Sequence, residues 1–493
     1  MKMVSAETMR SLDDASIAGG TSGLELMERA GIGAVHELLD FLERLPVNHA
    51  RRIAILVGKG NNGGDGYVMA RILQEMGWPV EVYAFAPAKQ LKGDAATNAE
   101  RLPAGLLVTG DLPIEPGTVF VDCLLGTGIS GAVREPFLSV IEQVNASICP
   151  VVAIDIPSGL NADTGEVANS AIVADLTITM ALPKAGLLRG AGPEHRGALR
   201  VVDIGIPPTR VFAAKSEGEA TLAPDVRAFL GRVARNSHKG SMGRIAIVGG
   251  SRQYPNAPIL AATAALRAGG GLVAMAIPEA ALPLLGRAPH AVIPRLFEDA
   301  PFREWLPSQD VVAVGPGLGR NDDTAKILRE VLTAGLPTVI DADALAAIPD
   351  CREFFPRAAA TIITPHPGEM QRLADGLRIS ESDRLVLASR VAEKLGVVVV
   401  LKGADCIVAE PYGIVSTNTS GTPGLATAGS GDVLTGLTAA WLYVARTTFV
   451  AAQAAVFVHG LAGELAPCGD RNLIADDLPE LIGRAMHTLS PFA

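Results

Sequence analysis

The chain of 493 residues is poor in aromatic side chains and has no excess of basic ones. Aromatic residues make up 4% of the sequence and hydrophobic residues 48%, so its apolar content is mainly aliphatic. This composition favours layered α/β domains, whose parallel strands are buried on both faces. The formal net charge of -10 argues against a general nucleic-acid binder, which needs a basic face. It does not exclude a nucleotide bound through backbone amides.

Cysteine is also scarce, and the sequence lacks both a CxxC pair and the apolar core of a signal peptide. The cysteines are dispersed along the chain: Cys123, Cys149, Cys351, Cys406 and Cys468. This dispersed pattern is typical of reduced thiols in the cytoplasm. The most apolar stretch, 437–462, is interrupted by Arg446, Gln453 and His459, which argues against a membrane span. We therefore predict a soluble cytoplasmic protein that binds neither nucleic acid nor membrane.

The chain is too long for one ordinary domain, and a repeated pattern predicts two. Short apolar runs recur along both halves, each before a glycine-rich or polar turn: 52–57, 119–122, 151–155, 244–248, 310–314, 337–340, 361–363 and 397–401. Strand, turn and helix in series predict parallel sheets with functional residues at the carboxyl ends of the strands. The polar stretch 211–221 breaks the pattern and precedes Pro224 and Asp225, which are suited to open a helix. We therefore predict domains at 1–210 and 222–493, with a linker at 211–221.

A glycine-rich segment, Gly58-Lys-Gly-Asn-Asn-Gly-Gly-Asp-Gly66, follows the first strand and precedes a predicted helical run at 67–76. It is neither a P-loop, because GK[ST] is missing, nor a GxGxxG dinucleotide fingerprint. Its glycines allow a phosphate to approach the backbone, and Asn61, Asn62 and Asp65 supply oxygens. Taken alone, such a loop is more often a tight turn than a site.

Two further strand ends in the first half carry polar residues. Asp122 ends one strand just before the glycine-rich loop 126–131, and Asp155 and Ser158 end the next. In a doubly wound sheet these ends converge on one crevice. Asn62, Asp122 and Ser158 would then offer hard oxygen ligands suited to an alkali or alkaline-earth cation. Each residue alone could equally cap a helix.

In the second half, the segment Gly421-Thr-Pro-Gly-Leu-Ala-Thr-Ala-Gly-Ser-Gly-Asp-Val-Leu-Thr-Gly436 leads into a helical apolar pattern. Asp432 therefore lies at a helix start, where free N–H groups favour a phosphate-like anion. There it could take a proton from a hydroxyl while the 429–431 amides steady a phosphoryl group. The alternative is a simple helix-capping aspartate. Strand-end loops at 315–319, 364–369 and 401–406 add His366 and Lys402, the latter suited to a phosphate or adenine nucleotide.

The segments GNNGGDG, VDCLLGTG and AIDIPSGLNADTG resemble the epimerase domain of NAD(P)H-hydrate repair proteins over about the first 210 residues. The resemblance implies a Rossmann-like three-layer α/β/α sandwich. It assigns the hydrated nicotinamide nucleotide to Asn61, Asn62, Gly63, Gly64, Asp65, Gly126, Thr127, Gly128, Ile129, Ser130, Gly131, Ala132 and Asp155. It also implies K⁺ bound by Asn62, Asp122 and Ser158. We further expect Asp122 to be a catalytic carboxylate.

The segments GPGLG, TPHPGEM, LKGADCIV and GTPGLATAGSGDVLTG resemble the ribokinase-like ADP-dependent NAD(P)H-hydrate dehydratases, from about 222 to the end. The resemblance implies a second α/β/α domain with Asp432 as catalytic base. It assigns the hydrate to Ala257, Gly317, His366 and Asp432. It assigns the adenine nucleotide to Lys402, Gly403, Ala404, Asp405, Cys406 and Gly431. ADP would phosphorylate the C6 hydroxyl, and Mg²⁺ would screen the phosphates.

We therefore predict a bifunctional enzyme that epimerises hydrated NADH and NADPH at C6 and dehydrates the S form with ADP. One alternative is a ribokinase-like kinase of a small metabolite whose N-terminal domain only binds a nucleotide. Another is an N-terminal protein-interaction module. The preference for ADP over ATP rests on the resemblance, and the residues leave the epimerisation route open. We expect a homo-oligomer.

Overall fold

The computed structural model describes residues 1–45, 51–129, 131–297, 302–466 and 471–490. The chain divides into two compact units, Met1–Ala220 and Thr221–Ala493. The stretch 211–221, predicted to be a linker, contains the end of a short helix and a short strand. The predicted domain limits therefore differ from the limits of the units by about ten residues at the first domain's end.

The first unit contains both strands and helices in alternation. Its strands are β1 (Lys2–Met3), β2 (Arg52–Val57), β3 (Val80–Ala84), β4 (Leu107–Val108), β5 (Thr118–Cys123), β6 (Val151–Ile154), β7 (Leu176–Met180), β8 (Ala198–Val202) and β9 (Gly218–Thr221). Its helices are α1 (Ala6–Ala18), α2 (Gly23–Arg44), α3 (Asn61–Glu75), α4 (Gly93–Glu100), α5 (Phe137–Asn145), α6 (Gly192–Arg196) and α7 (Pro208–Ala213).

The sheet of the first unit is parallel, in the order β4-β3-β2-β5-β6-β7-β8. Successive strands are added outward in opposite directions from β2 and β5, so these two neighbours form the topological switch point. The side chains of β2 alternate between the two faces. Ile53 and Ile55 pack with α1, α2 and α3, whereas Ala54 and Leu56 pack with α5. The unit is thus a three-layer sandwich, and its crevice lies at the carboxyl ends of β2 and β5.

The second unit continues the alternation. Its strands are β10 (Arg244–Val248), β11 (Leu272–Ile277), β12 (Ile293–Leu296), β13 (Val311–Val314), β14 (Thr338–Ile340), β15 (Thr361–Ile363), β16 (Val398–Leu401), β17 (Ile407–Ala409) and β18 (Val415–Asn418). Its helices are α8 (Ala223–Phe229), α9 (Ala257–Arg267), α10 (Phe302–Trp305), α11 (Asp322–Thr333), α12 (Asp343–Ala346), α13 (Pro367–Leu377), α14 (Arg384–Leu395), α15 (Ser430–Val444), α16 (Thr448–Glu464) and α17 (Leu478–Leu489).

The sheet of the second unit runs in the order β18-β17-β16-β15-β14-β13-β10-β11-β12. It is parallel from β12 to β16, whereas β17 pairs antiparallel with β16 and β18 pairs antiparallel with β17. The sequence predicted only the parallel part, because a strand that returns through a short turn lacks the helix that marks a parallel crossover. Helices α9, α15, α16 and α17 cover one face, and α11, α13 and α14 cover the other.

The apolar stretch 437–462 forms most of α15 and α16, which are separated by a short turn. Both helices contribute largely buried side chains to the core on one face of the second sheet. Among the described residues, no helix combines the length and apolar character that crossing a membrane requires.

Candidate active sites

The asparagine-glycine segment of the first unit lies within a helix rather than in a loop before it. Helix α3 begins at Asn61, six residues earlier than the predicted run at 67–76. Its glycines are needed for close packing: a Cβ on Gly63 would lie 2.2 Å from the Gly58 carbonyl oxygen, and one on Gly64 would lie 2.6 Å from Met27. The sequence predicted a loop before the helix because glycine is a poor helix former, but these tertiary contacts outweigh the low helix propensity of glycine.

Three residues predicted to bind a cation meet at the carboxyl ends of β2, β5 and β6. The fully buried Asp122 carboxylate accepts hydrogen bonds from the Ser158 hydroxyl at 2.6 Å and the Ser158 amide at 2.8 Å. It also accepts one from the Leu124 amide at 3.1 Å. Burial raises the pKa of Asp122 to about 6, although these three hydrogen bonds act to lower it. The Asn62 amide donates to the Leu125 carbonyl oxygen at 2.9 Å.

The environment of Asn62 fits a bound cation. Its side-chain oxygen is buried and has no hydrogen-bond partner among the described residues. A buried amide oxygen without a partner is costly unless an ion or a water molecule meets it. The Leu125 carbonyl oxygen lies 3.2 Å from the Ser158 hydroxyl, so carbonyl, hydroxyl, amide and carboxylate oxygens are close together. Such a set of hard donors suits an alkali cation.

The loop that follows β5 lies against the start of α3. A Cβ on Gly126 would lie 3.3 Å from Cβ of Asn62. Ile129 and Gly131 line a cavity of about 520 Å³ together with residues that follow β6, among them Asn161 and Glu166. Ser130, which was predicted to bind substrate, lies outside the described residues. The predicted 126–132 loop therefore borders Asn62 through Gly126 and the cavity through Ile129 and Gly131.

Asp155 occupies the carboxyl end of β6 with a positive φ of 66°, a conformation that costs energy for a residue other than glycine. Its carboxylate accepts a hydrogen bond from Nζ of Lys184, whose side chain is fully buried. The backbone amide of Met180 donates to the same carboxylate oxygen at 3.2 Å. Lys184 was not singled out from the sequence. A lysine that follows a strand in the segment ALPKAG gives little sequence signal.

In the second unit, Asp432 lies in the first turn of α15, as the sequence predicted. The helix starts directly after Gly429, which has a φ of 93° that only glycine adopts without strain. Burial, and next the charge of Asp341, raise the pKa of Asp432 to about 7, whereas Lys402 acts to lower it. A carboxyl group with this pKa is suited to accept a proton near neutral pH.

Lys402 is held beside Asp432 by a residue that the sequence did not single out. Its Nζ donates to the buried Asp341 carboxylate at 2.8 Å and lies 4.0 Å from Glu369. The hydroxyl of Thr435 donates to the other Asp341 oxygen at 2.6 Å. Burial lowers the pKa of Lys402, but the charges of Asp341 and Glu369 outweigh that effect and hold the pKa above its usual value. The segment DADAL after β14 was the available signal for Asp341.

The predicted nucleotide-binding residues are close to this ion pair. A Cβ on Gly431 would lie 3.2 Å from Nζ of Lys402, so the glycine makes room for the ammonium group. Gly403 and Asp405 both have positive φ values, 135° and 49°, and form a tight turn directly after Lys402. The guanidinium group of Arg384 donates to the Ala404 carbonyl oxygen at 3.3 Å and adds a second positive charge.

Two of the predicted hydrate-binding residues, Ala257 and Gly317, lie in contact, whereas His366 lies at the start of a different helix. Ala257 lies against Gly317, because a Cβ on that glycine would lie 3.1 Å from the alanine side chain. His366 begins α13, and its Nδ1 accepts hydrogen bonds from the backbone amides of Gly368 and Glu369 at 3.0 and 3.3 Å. Nε2 of His366 therefore carries the proton in the neutral ring. Burial and the positive charge of Lys402 lower the pKa of His366 and favour this neutral form.

A buried histidine on α16 contacts the first turn of α15. His459 on α16 contacts the Ser430 carbonyl oxygen through Nε2 at 2.9 Å. Burial lowers the pKa of His459 to about 4, so the ring is neutral at physiological pH and donates an Nε2 proton to that carbonyl. Within the described ranges, no three His, Cys, Asp or Glu side chains are grouped so that they alone could hold a metal ion.

Both units are thus α/β sandwiches with polar side chains at strand ends. The second unit combines a helix-start carboxylate with a partly buried lysine, as nucleotide-dependent phosphoryl-transfer enzymes do. Two family models match the chain: "YjeF-related protein N-terminus" at residues 23–186 and "NAD(P)H-hydrate dehydratase" at residues 245–484. The chain belongs to the family of bifunctional NAD(P)H-hydrate repair enzymes.

Individual relatives cover both units. The chain is 38% identical to the bifunctional NAD(P)H-hydrate repair enzyme Nnr of Moorella thermoacetica, over 99% of this chain and 97% of that protein. It is 37% identical to the enzyme of the same name from Coxiella burnetii, over 95% and 96% of the two chains. A ribokinase-like protein from Enterococcus faecalis matches 55% of this chain and 96% of its own, with 26% identity and a TM-score of 0.50.

Proposed function

We propose that this chain repairs hydrated NADH and NADPH. Its first unit interconverts the R and S epimers at C6, and its second unit dehydrates the S epimer while it converts ADP to AMP and phosphate. The observation that best supports the second activity is Asp432, whose raised pKa of about 7 and position at the start of α15 suit a base beside a phosphoryl group. The family membership of the whole chain supports both activities.

In the proposed dehydration, Asp432 takes the proton of the C6 hydroxyl. The hydroxyl oxygen attacks the β-phosphorus of ADP, and the bond from that phosphorus to the oxygen of AMP breaks. Loss of the phosphate, together with a proton from the neighbouring ring carbon, then restores the reduced ring. Lys402 and the amides at the start of α15 face the negative charge that develops on the phosphoryl group. The pair of Ala257 and Gly317, with His366, would position the hydrate.

Mg²⁺ would accompany the nucleotide, because the phosphates need a cation to offset their charge. Glu369 is the carboxylate that fits this role: it is buried, and its nearest ammonium, Lys402, lies 4.0 Å away and is already paired with Asp341. One carboxylate with phosphate and water ligands is a common environment for Mg²⁺. The ion would screen the charge on the transferred phosphoryl group.

In the first unit we propose K⁺ bound by Asn62, Asp122 and Ser158, with the Leu125 carbonyl oxygen as a further ligand. The buried and unpartnered Asn62 oxygen supports this proposal. Asp122 is fully buried and is itself one of these ligands, so it would hold the cation, and its catalytic role remains a prediction. The hydrated nicotinamide would lie between α3, the loop 126–132 and Asp155. The cytoplasmic location and the homo-oligomer remain predictions from the sequence.

The decisive experiment incubates hydrated NADH with the enzyme and either ADP or ATP. We expect the absorbance of the reduced nicotinamide to recover, with one AMP and one phosphate formed per molecule repaired when ADP is used. A stable phosphorylated product without recovery would instead identify a small-molecule kinase. If neither nucleotide supports recovery, the proposed dehydration is wrong. Epimerisation is measured separately, without nucleotide, as R-to-S conversion above the spontaneous rate.

A further inference from the structure

Lys184 is an unusual residue in the first unit, because its charged side chain is fully buried. Its Nζ donates to the Asp155 carboxylate, to the Thr179 hydroxyl at 3.1 Å and to the Met180 carbonyl oxygen at 2.9 Å. All three protons of the ammonium group therefore have partners. Burying a lysine is costly unless its charge is paired. The ammonium group of Lys184 is paired with Asp155, a predicted substrate-binding carboxylate.

The N-terminal segment adds a second acidic group to Lys184. The backbone of Val4 pairs with the 183–185 segment, since the Val4 amide donates to Pro183 at 3.0 Å and the Ala185 amide donates to Val4 at 3.0 Å. This pairing places α1 beside the ion pair. Asp13 on α1 interacts electrostatically with both Lys184 and Asp155. One carboxylate oxygen of Asp13 is buried and has no hydrogen-bond partner in the described parts of the chain.

Asp65 on α3 completes the cluster. Its side chain is about nine-tenths buried, with 9% exposure, and no hydrogen bond to it is formed by the described residues. It interacts electrostatically with Asp155, Lys184 and Asp13. Burial, and next the charge of Asp155, raise the pKa of Asp65 well above its ordinary value. Burial also raises the pKa of Asp13 to about 6, although Lys184 acts to lower it.

Three carboxyl groups thus interact with one buried ammonium group, Asp155 by direct contact and Asp13 and Asp65 electrostatically. Full ionisation would leave two uncompensated negative charges, so the cluster retains protons. Asp155 makes the direct ion pair with Lys184. Asp65 is buried, and the described residues give it neither a hydrogen bond nor a cation in contact. Burial, and next the charge of Asp155, raise its pKa, so Asp65 is the protonated member. Other acidic groups nearby are Asp14, which faces Asp13, and the Cys123 thiol, which lies near Asp65 and Asp122.

We propose that Asp155 and Asp65 form the base and acid pair of the epimerisation, and that Lys184 and Asp13 are positioning residues that hold them in opposite charge states. Two carboxyl groups whose surroundings separate their protonation states are a common solution to acid–base chemistry at neutral pH. This inference deepens the proposed function of the first unit and rests on it.

The pair is sufficient for epimerisation by ring opening. The Asp155 carboxylate takes the proton of the C6 hydroxyl, the bond from C6 to the ring nitrogen breaks, and its electron pair moves to that nitrogen. The proton of Asp65 neutralises the nitrogen, which leaves an open-chain aldehyde. Rotation about the bond between C5 and C6 exposes the other face, and the reverse transfers close the ring. On ring closure Asp155 returns its proton to the C6 oxygen and the ring nitrogen returns its proton to Asp65, so the step is balanced without a further reactant.

The test compares pH profiles of nucleotide-independent epimerisation for two variants with opposite effects on charge. Lys184→Met removes the positive charge, so both limbs of the bell-shaped profile should move to higher pH, by about one unit or more. Asp13→Asn removes a neighbouring carboxylate without breaking the ion pair, so both limbs should move to lower pH. Matched controls are the exposed Lys89→Met and Asp14→Asn, for which we expect no shift and a smaller shift, respectively.

Dehydration of the purified S epimer by the second unit reports on folding in every variant and should be unchanged. Because Asp13→Asn keeps the ion pair, it tests the proposal even if Lys184→Met fails to fold. The proposal is overturned if both variants lower the rate without moving either limb, or if Asp65→Asn epimerises as fast as wild type. If the wild-type enzyme itself does not exceed the spontaneous rate at any pH, the proposed epimerase function fails instead.

Discussion

At the scale of single residues, the second site depends on one partly buried lysine, Lys402, which lies near several carboxylates. Asp341 takes the short contact with Lys402 at 2.8 Å, and Glu369 lies farther away at 4.0 Å. Asp432 is therefore left without a direct ammonium partner, and burial raises its pKa to about 7. Asp341 thus holds Lys402 and the Thr435 hydroxyl in place, whereas Asp432 is free to exchange a proton.

The first prediction concerns Asp432 as the base. Because a carboxylate accepts a proton only when ionised, the dehydration rate at saturating nucleotide should rise with pH up to about 7 and level off above it. Asp432→Asn should lower kcat by about 10²–10⁴-fold and abolish this pH dependence. Steady-state rates of S-epimer dehydration measure both effects. A variant that keeps the wild-type profile would show that another group is the base.

The second prediction concerns Lys402. Lys402→Met leaves the buried Asp341 carboxylate without its cation, which should destabilise the second unit by about 3–5 kcal/mol. It should also raise the KM for ADP, since the positive charge that faces the phosphates is lost. The exposed Lys394→Met is the matched control and should change neither quantity. Thermal unfolding and nucleotide titration would contradict the prediction if the two variants behave alike.

At the scale of elements, the position of the Asp432 helix is set by its neighbours. Helix α15 crosses α9 so closely that a Cβ on Gly436 would lie 1.8 Å from the Ala261 carbonyl oxygen. Helix α16 packs on the other side of α15, where His459 donates a hydrogen bond to the Ser430 carbonyl oxygen. The backbone carbonyl oxygen of Phe457, also on α16, accepts a hydrogen bond from the Ser420 hydroxyl at 2.7 Å. Contacts among α9, α15 and α16 thus fix the position of the Asp432 carboxylate.

The third prediction separates this packing from helix propensity. Gly436→Ala should destabilise the second unit by about 1–3 kcal/mol or more, because the added methyl group must push α9 and α15 apart. Gly483→Ala on α17 is the matched control: no atom lies within 4 Å of the added methyl group, and we expect about 0.5–1 kcal/mol of stabilisation. Urea unfolding of both variants measures the difference. Equal effects would mean that the helix contact can relax.

At the scale of the whole molecule, the chain carries two compact α/β units, each with its own cluster of strand-end residues. The residues that form each cluster come from one unit alone. The fusion is therefore not required for the chemistry of either site. It instead supplies both activities in equal amounts, which suits a substrate that exists as two interconverting epimers.

The fourth prediction follows from this separation. Asp65→Asn should block epimerisation and keep dehydration, whereas Asp432→Asn should do the opposite. An equimolar mixture of the two variants should convert R-epimer completely to reduced nucleotide, because the S form diffuses between molecules. Each variant alone, at twice the concentration, is the control. A mixture no faster than its better member would show that both sites must lie on one chain.

Much of the fold could be predicted from the sequence because local residue patterns indicate its strands and turns. The strands at 52–57, 244–248 and 361–363 have the predicted bounds, since aliphatic runs before glycine turns mark buried parallel strands. The family resemblance is confirmed by relatives that match nearly the full chain. The predicted start of α3 was wrong by six residues, because close packing rather than helix propensity stabilises its first turns. The antiparallel edge β17–β18 was missed because a short turn carries little signal.

The sequence by itself determined the two-unit α/β organisation, the family and the loops that carry Asn62, Asp155, Lys402 and Asp432, since each depends on residues close together along the chain. Only the tertiary structure decided which charges meet: Lys184 with Asp155 and Asp13, and Lys402 with Asp341, partners 29, 171 and 61 positions apart along the chain. Burial and charge at such distances depend on how the strands and helices pack. They set the protonation state of each carboxyl group, and no local pattern encodes them.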